Sequence, residues 1–396
     1  MTLRLYYDDA YLTEFNARVT ACVPAGSEFD IRLDRSAFYP TSGGQPFDTG
    51  FIDSARVLDV QVVDGDVMHL TDQALEIGAE VHCKIDWARR FDHMQQHAAD
   101  HMIAGTIWRM FGGVTIGLHE SDEISTIDVS MPDGRTHLTP DEIARVENHV
   151  NDQIQRDVPI RCWFPSAEEL ETLPLRKKPT VSEHIRVVAI GDEEMVACGG
   201  THPSSAGQLG LVKIVSVAPA RGKMRIGFIA GGRALRDYAV CYRSAHAAAE
   251  LFSTRVENLE SSVRTLQDRL REAESELSTL REESLMRSLE AELSDAPVVC
   301  GGKMIARFVN ADAQIMRACA SALIKNSGVI ALLGVLNGER ATYVFARSAD
   351  VDCDMGALLR AAAVSLGGKG GGKPDYAQGG GPNAMLDRAM ELILEK

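Results

Sequence analysis

The sequence predicts an α+β protein built from several domains, and three observations carry that expectation. The first 88 residues alternate apolar and polar positions in short runs broken by turns, as small β-barrels do. The segment from Arg90 to Met110 has no proline and places Met94, Ala98, Ile103, Ile107 and Met110 at helical spacing. A chain of 396 residues also exceeds what one hydrophobic core usually serves. The expected organisation is a β-barrel-like subdomain over 1–88, a metal-binding α+β domain over 89–240, a helical coiled-coil linker over 241–296 and a small α/β domain over 297–396.

Taken in order, Glu28 to Asp34 and Val57 to Gly65 are the clearest early strands, the second ending in an Asp-Gly hairpin signal. Between them, Ser42-Gly43-Gly44-Gln45 reads as a β-turn needing positive φ, or as a turn whose bare backbone lets N–H groups approach a ligand. A helix over Phe91–Phe111 is followed by a strand pair, Thr115 to Glu120 and Ile124 to Ser130. Thr139-Pro140-Asp141-Glu142 starts a helix that ends near Arg156, with proline at the first helical position and acids in the first turn. A short helical piece over Ala167–Thr172 precedes a strand from Ile185 to Ile190, and strands from Leu211 to Val217 and Met224 to Ala230 close the domain.

Val256, Leu259, Val263, Leu266, Leu270, Ala273, Leu277 and Leu280 then alternate spacings of three and four, as heptad a and d positions do, until the pattern fails at Ser284 and Arg287. Such a seam needs a partner, either a second subunit or a neighbouring helix at 233–252 or Leu285 to Leu293. Beyond it, strands are expected at Met304–Val309, Val329–Val335 and Ala341–Ala346, and helices at Ala311–Lys325, Met355–Val364 and Asn383–Leu394. The glycine-rich segment 367–381 reads as a loop whose amides and lysines face an anion; it lacks the G-K-[S/T] ending of a P-loop.

The composition, 45% hydrophobic and 24% charged, is that of a globular protein, and no apolar run approaches the roughly 20 residues that span a bilayer. Acidic Asp8 and Asp9 sit where a signal peptide would continue its apolar stretch, so a cytoplasmic protein without membrane contact is expected. Eight cysteines without any C-x-x-C argue against a disulfide framework. A net charge of −15 opposes nucleic-acid binding as a whole. Local basic clusters at Arg89-Arg90, Arg176-Lys177-Lys178, Arg221 to Arg225 and Lys369 to Lys373 can still meet phosphate.

Two pairs of residues carry the chemistry. His97 and His101 stand one helical turn apart on one face, and Cys198 and His202 are separated by Gly199-Gly200-Thr201, which suits a tight loop. Together they offer one thiolate and three imidazoles, a set that fits tetrahedral zinc. The H-E-x-x-H metalloprotease pattern is absent, because Ala98, Ala99 and Asp100 lie between the histidines. His93 extends the run by one more turn, so spacing alone leaves the register open.

H-x-x-x-H followed by C-G-G-T-H resembles the editing domain of alanyl-tRNA synthetase and its free-standing relatives, the AlaX proteins. Phe38 to Gly50 resembles the family's glycine-rich motif, Met94-Gln95-Gln96-His97 its free-standing members' lead-in, and Gly207-Gln208-Leu209-Gly210 with the basic run Arg221 to Arg225 its continuation after the Cys/His loop. Gly368 to Gln378 resembles the DHH-associated domain that ends alanyl-tRNA synthetases.

The resemblance implies that His97, His101, Cys198 and His202, and not His93, hold Zn2+. It implies catalytic roles for Gln45, His119 and Thr201, substrate contacts from Ser42, Gly43, Gly44 and Gln96, and RNA contacts from Arg221, Lys223, Lys369 and Lys373. The implied reaction is deacylation of mischarged tRNA(Ala) in trans, seryl-tRNA(Ala) first and glycyl-tRNA(Ala) second. A homodimer through the 256–280 helix and the C-terminal domain is implied as well. No stretch resembles a class II activation domain, so tRNA charging is not expected. One departure stands out: family members usually carry Thr or Ser after the first zinc histidine, and this chain has Ala98. A zinc-stabilised tRNA-binding module without catalysis is the alternative, and a nucleotide-directed hydrolase on the DHH-associated scaffold ranks below it.

Overall fold

In the computed structural model, which describes residues 1–177, 179 and 184–395, the chain forms two compact units, Met1–Ala245 and His246–Lys396. Lys178 of the third basic cluster lies outside the described residues. No helix among the described residues is long and apolar enough to cross a membrane.

The first unit begins with six strands that close on one another in the order Glu14–Ala25, Glu28–Leu33, Asp66–Thr71, Ala55–Val63, Gly50–Ile52 and Glu80–Ile85, the last pairing back to the first. Alternation dictates the closure: Phe15, Ala17 and Val19, then Val81, Cys83 and Ile85, turn inward to one core with Tyr6, Phe38 and Tyr39. At Gly50 the paired strands run so close that a Cβ would fall 2.1 Å from the Lys84 carbonyl oxygen. The Asp64-Gly65 turn adopts positive φ at both residues, as the sequence requires of a two-residue hairpin.

Helix α1 (Trp87–Phe111) leaves this barrel, capped by Asp86, whose carboxylate accepts from the Arg89 amide, and stopped by Gly112 in the left-handed region. It starts four residues earlier than the sequence pattern suggests. Nearly every side chain from His93 to Ile107 is buried, because the barrel, a four-stranded antiparallel sheet and α2 (Pro140–Gln155) surround the helix. That sheet runs in the order Val212–Ala220, Lys223–Ala230, Ser125–Ser130, Val114–His119. The expected start of α2 is realised as a capping box between Thr139 and Glu142. The strand Ile160–Trp163, before the short helix α3 (Ala167–Thr172), and the strands Val187–Ile190 and Glu194–Ala197, after it, form a small antiparallel sheet whose last strand runs into Cys198. Helix α4 (Gly231–Leu251) follows and crosses the boundary between the units.

The second unit opens with α5 (Leu259–Asp295), 37 residues long and so about 55 Å. Its first two-thirds carry the heptad stripe. Val263, Leu266, Leu270, Leu277 and Leu280 remain 36% to 56% exposed among the described residues. Leu285 and Leu289, by contrast, are buried against α6 (Ala313–Leu323). The same helix is continuous through Leu293, so the expected alternative in which Leu285 to Leu293 folds back on the stripe does not occur.

A six-stranded sheet forms the rest, in the order Val298–Val299, Gly302–Phe308, Val329–Asn337, Arg340–Arg347, Tyr376–Pro382, Lys369–Gly372. Its central strand explains the unbroken apolar run: Val329, Ala331 and Leu333 face α5 and α6, while Ile330 and Leu332 face α7 (Met355–Leu366) and α8 (Met385–Leu394). The glycine-rich segment is not a loop but an antiparallel hairpin, Lys369–Gly372 with Tyr376–Pro382. Glycine serves packing here. A Cβ on Gly370 would meet Gly379 Cα at 2.8 Å, and one on Gly381 would meet Met385 Sδ at 2.1 Å.

Candidate metal centre

The α1 helix and the loop after Glu194–Ala197 bring His97, His101, Cys198 and His202 together, with one donor atom of each within 4.8 Å of every other. His97 Nε2 lies 3.2 Å and His202 Nε2 3.5 Å from Cys198 Sγ. A tetrahedral zinc with Zn–N near 2.0 Å and Zn–S near 2.3 Å would separate nitrogen and sulfur ligands by about 3.5 Å, so the spacing and the donor chemistry fit that ion. The three histidines are buried and Cys198 is half-buried, and the ring of His101 packs 4.9 Å from that of His202.

Two carbonyls shape the loop. Arg186 donates to the backbone oxygens of Cys198 (3.2 Å) and Gly200 (2.7 Å), and the Gly200 amide donates to Cys198 Sγ at 3.3 Å. Burial opposes ionisation of Cys198, but the imidazoles of His97 and His101 outweigh it and hold the thiol well below its ordinary range. His97 is correspondingly raised, burial being overcome by Cys198 and Glu120, and His101 rises to about 9 against the same burial. His202 falls to about 3 through burial. A divalent cation bound there would require the thiol and the donor nitrogens without their protons.

Each histidine of α1 has a carboxylate behind it. Glu120 Oε1 is 2.7 Å from His97 Nδ1, off the ideal hydrogen-bond line, and Glu194 Oε1 is 3.8 Å from His101 Nδ1. Glu194 is in turn paired with Arg176 at 2.8 Å. Sequence reading missed these groups, together with Arg186. The one available signal was alternation: residues 119 and 120 point to opposite faces, so one of the two must turn inward. It is Glu120 that does so, while His119 is exposed at the end of Val114–His119.

The other predicted residues divide. Gln45 is buried and reads Thr201 at both ends, donating from Nε2 to Oγ1 (2.7 Å) and accepting from the Thr201 amide at Oε1 (3.0 Å). The Thr201 amide, and those of Ser42 and Gln45, which bond to each other's carbonyls, are therefore committed. The amides of Gly43 and Gly44 have no partner among the described residues. Gln96 bonds the Ala230 backbone in both directions, accepting from its amide at 2.9 Å and donating to its carbonyl at 3.1 Å. Ala98 is fully buried in the core.

One arginine of each of two basic clusters points inward: Arg90 is buried against Asp48, and Arg176 pairs with Glu194. Arg221 and Lys223 lie exposed at a hairpin, and Lys369 and Lys373 are exposed on the glycine-rich one.

Three family models match parts of the chain: tRNA synthetases class II (A) over residues 6–89, the threonyl and alanyl tRNA synthetase second additional domain over 185–226, and the DHHA1 domain over 301–396. The first falls on the barrel and the first turn of α1, the stretch that contains the glycine-rich motif Phe38 to Gly50. The chain is 29% identical over 412 residues to the alanyl-tRNA editing protein AlaX-L of Pyrococcus horikoshii, covering 99% of this chain and 98% of that one. It is 29% identical to the alanine–tRNA ligase of Natronomonas pharaonis, but spans only 44% of that protein's length. Against the alanyl-tRNA editing protein Aarsd1 of Danio rerio the identity is 31%, over 70% of this chain and 71% of the relative. On that identity and coverage, the chain belongs to the alanyl-tRNA editing protein family.

Proposed function

We propose that this protein is a zinc-dependent hydrolase that deacylates mischarged tRNA(Ala) in trans, in the cytoplasm, with seryl-tRNA(Ala) as first substrate and glycyl-tRNA(Ala) as second. The observation that carries the reading is the convergence of three imidazoles and a thiolate in one buried site, in a chain related throughout to editing proteins. His97, His101, Cys198 and His202 would hold the ion, which supplies positive charge to polarise or orient the ester. Hydrolysis forms a bond from a water oxygen to the carbonyl carbon and breaks the bond to the ribose oxygen, which takes a proton. The amides of Gly43 and Gly44 are the uncommitted donors of the glycine-rich turn and suit the charge that develops on the carbonyl oxygen. Thr201 Oγ1 accepts from Gln45 and keeps its own proton, so it can bond a substrate hydroxyl and favour serine over alanine. With Ala98 in the core and Gln96 committed, Thr201 is the candidate discriminator. His119, exposed beside the inward Glu120, would act only on a substrate that reaches the outer face of its strand. Arg221, Lys223, Lys369 and Lys373 would contact RNA phosphate, giving a strongly salt-dependent affinity in an acidic chain.

The test is deacylation of seryl-, glycyl- and alanyl-tRNA(Ala) by the purified, zinc-loaded protein. Serine release that spares alanine, and that falls at least a hundredfold in Cys198→Ala, is expected. A specific observation favours the second reading, a tRNA-binding module: four protein ligands fill a tetrahedral ion and leave no open position. Zinc-loaded protein that binds tRNA but releases none of the three amino acids would establish it and remove the hydrolase.

We further infer that two copies pair through α5, since a heptad stripe left this exposed requires a second helix of matching register. Sedimentation should give a concentration-dependent dimer that Leu270→Glu converts to monomer. A parent protein that stays monomeric at high micromolar concentration would refute the pairing.

A further inference from the structure

Glu120 is a fully buried carboxylate that pairs with two of the three histidines of α1: His97 Nδ1 at 2.7 Å from Oε1 and His93 Nδ1 at 3.5 Å from Oε2. It differs in this from Glu194, whose charge Arg176 neutralises. A buried carboxylate without a cation is costly, and neither ring nitrogen of buried His93 has an aligned hydrogen bond. His97 Nε2 faces Cys198, so Nδ1 is its outer nitrogen and must carry the proton for Nε2 to be a ligand.

We propose that Glu120 is the positioning residue of the metal centre, and that His93 anchors it. Resting on the zinc reading, the assignment is that Glu120 accepts the His97 Nδ1–H, selects the tautomer that frees Nε2 and raises that nitrogen's basicity. A small turn of the ring would bring Nδ1–H onto the hydrogen-bond line to Oε1. His93 donates from Nδ1 to the second oxygen and prevents the carboxylate from swinging away. This gives the third histidine of the H-x-x-x-H-x-x-x-H run a task other than ligation. Because the Glu120 amide donates to the Gly44 carbonyl at 3.2 Å, the same residue also ties the glycine-rich turn to the metal helix.

The measurement is zinc affinity by chelator competition, with the absorption spectrum of the cobalt(II)-substituted protein as a readout of ligand geometry. Glu120→Gln is expected to weaken zinc about 10- to 100-fold and to shift the cobalt bands. His93→Gln should weaken it less, and Asp122→Asn, at an exposed carboxylate two residues on, not at all. Parent-level zinc affinity with an unchanged cobalt spectrum in folded Glu120→Gln overturns the assignment alone. Absence of zinc binding by the parent overturns the zinc reading and the assignment with it. Should Glu120→Gln fail to fold, Glu120→Asp decides: a carboxylate set back by one methylene should lose part of the affinity, and undiminished affinity overturns the role.

Discussion

Replacing Arg90 by Met is expected to destabilise the first unit by about 3–5 kcal/mol, the cost of leaving a buried charge without its partner. Arg90 and Asp48 are both fully inaccessible, and the pair joins α1 to the motif Phe38 to Gly50. Arg90 Nε donates to the two carboxylate oxygens at 3.0 and 2.9 Å, and Nη2 donates to Oδ2 as well. The remaining guanidinium protons reach the carbonyls of Ala10 at 2.8 Å and Ala37 at 2.6 Å, while Asp48 also accepts from the Tyr39 amide at 2.6 Å. Lysine cannot reproduce this fork, so Arg90→Lys should fail almost as badly. The three tryptophans, Trp87, Trp108 and Trp163, all lie in the first unit, so the fluorescence transition in urea reports on it alone. The double variant Arg90→Met with Asp48→Asn removes both charges and keeps an acceptor for Tyr39. It should be more stable than Arg90→Met. A single variant costing less than about 1 kcal/mol, or a double variant worse than the single, would refute the buried-charge account.

What the sequence revealed follows from which contacts are local. The ligand pairs could be read because four-residue spacing is itself the geometry, on a helix for His97 and His101 and around a Gly-Gly turn for Cys198 and His202. The carboxylates behind them could not. Glu120 and Glu194 reach α1 from strands distant in sequence, and no periodicity relates 120 to 97 or 194 to 101. The heptad stripe was visible for the same reason, and its failure at Ser284 marks the point where α5 begins to bury Leu285 and Leu289 against α6. Gly367, Gly368, Gly370 to Gly372 and Gly379 to Gly381 misled because glycine carries no side-chain alternation, although its absence of a Cβ is what lets α7 and α8 lie against that hairpin. Arg89-Arg90 misled differently. Two adjacent arginines look like one patch, yet α1 turns the second into the interior.

Gly200→Ala is expected to cut zinc affinity about 100-fold while Gly199→Ala leaves it near the parent value, a contrast that adjacent residues of one loop would not otherwise produce. Neither glycine needs a positive φ, so alanine strains the backbone at neither position. The difference is in what a methyl group meets. At Gly199 a Cβ comes only within 3.4 Å of the Tyr7 hydroxyl, an ordinary contact. At Gly200 it would lie 2.8 Å from both Cε1 and Nε2 of His97 and 3.0 Å from Gln45 Oε1. His97 has no room to retreat, since Glu120 stands behind its other nitrogen and the barrel and sheet enclose α1. The loop must move instead, and it carries Cys198 and His202. Gln45 would lose its reciprocal bonds to Thr201 in the same displacement, so metal binding and the proposed serine reader should fail together. Chelator competition measures the first and seryl-tRNA(Ala) deacylation the second. Equal zinc affinity in the two alanine variants would mean that His97 is not held where its contacts with Glu120 and Cys198 put it, and that the loop closes on the metal only after binding.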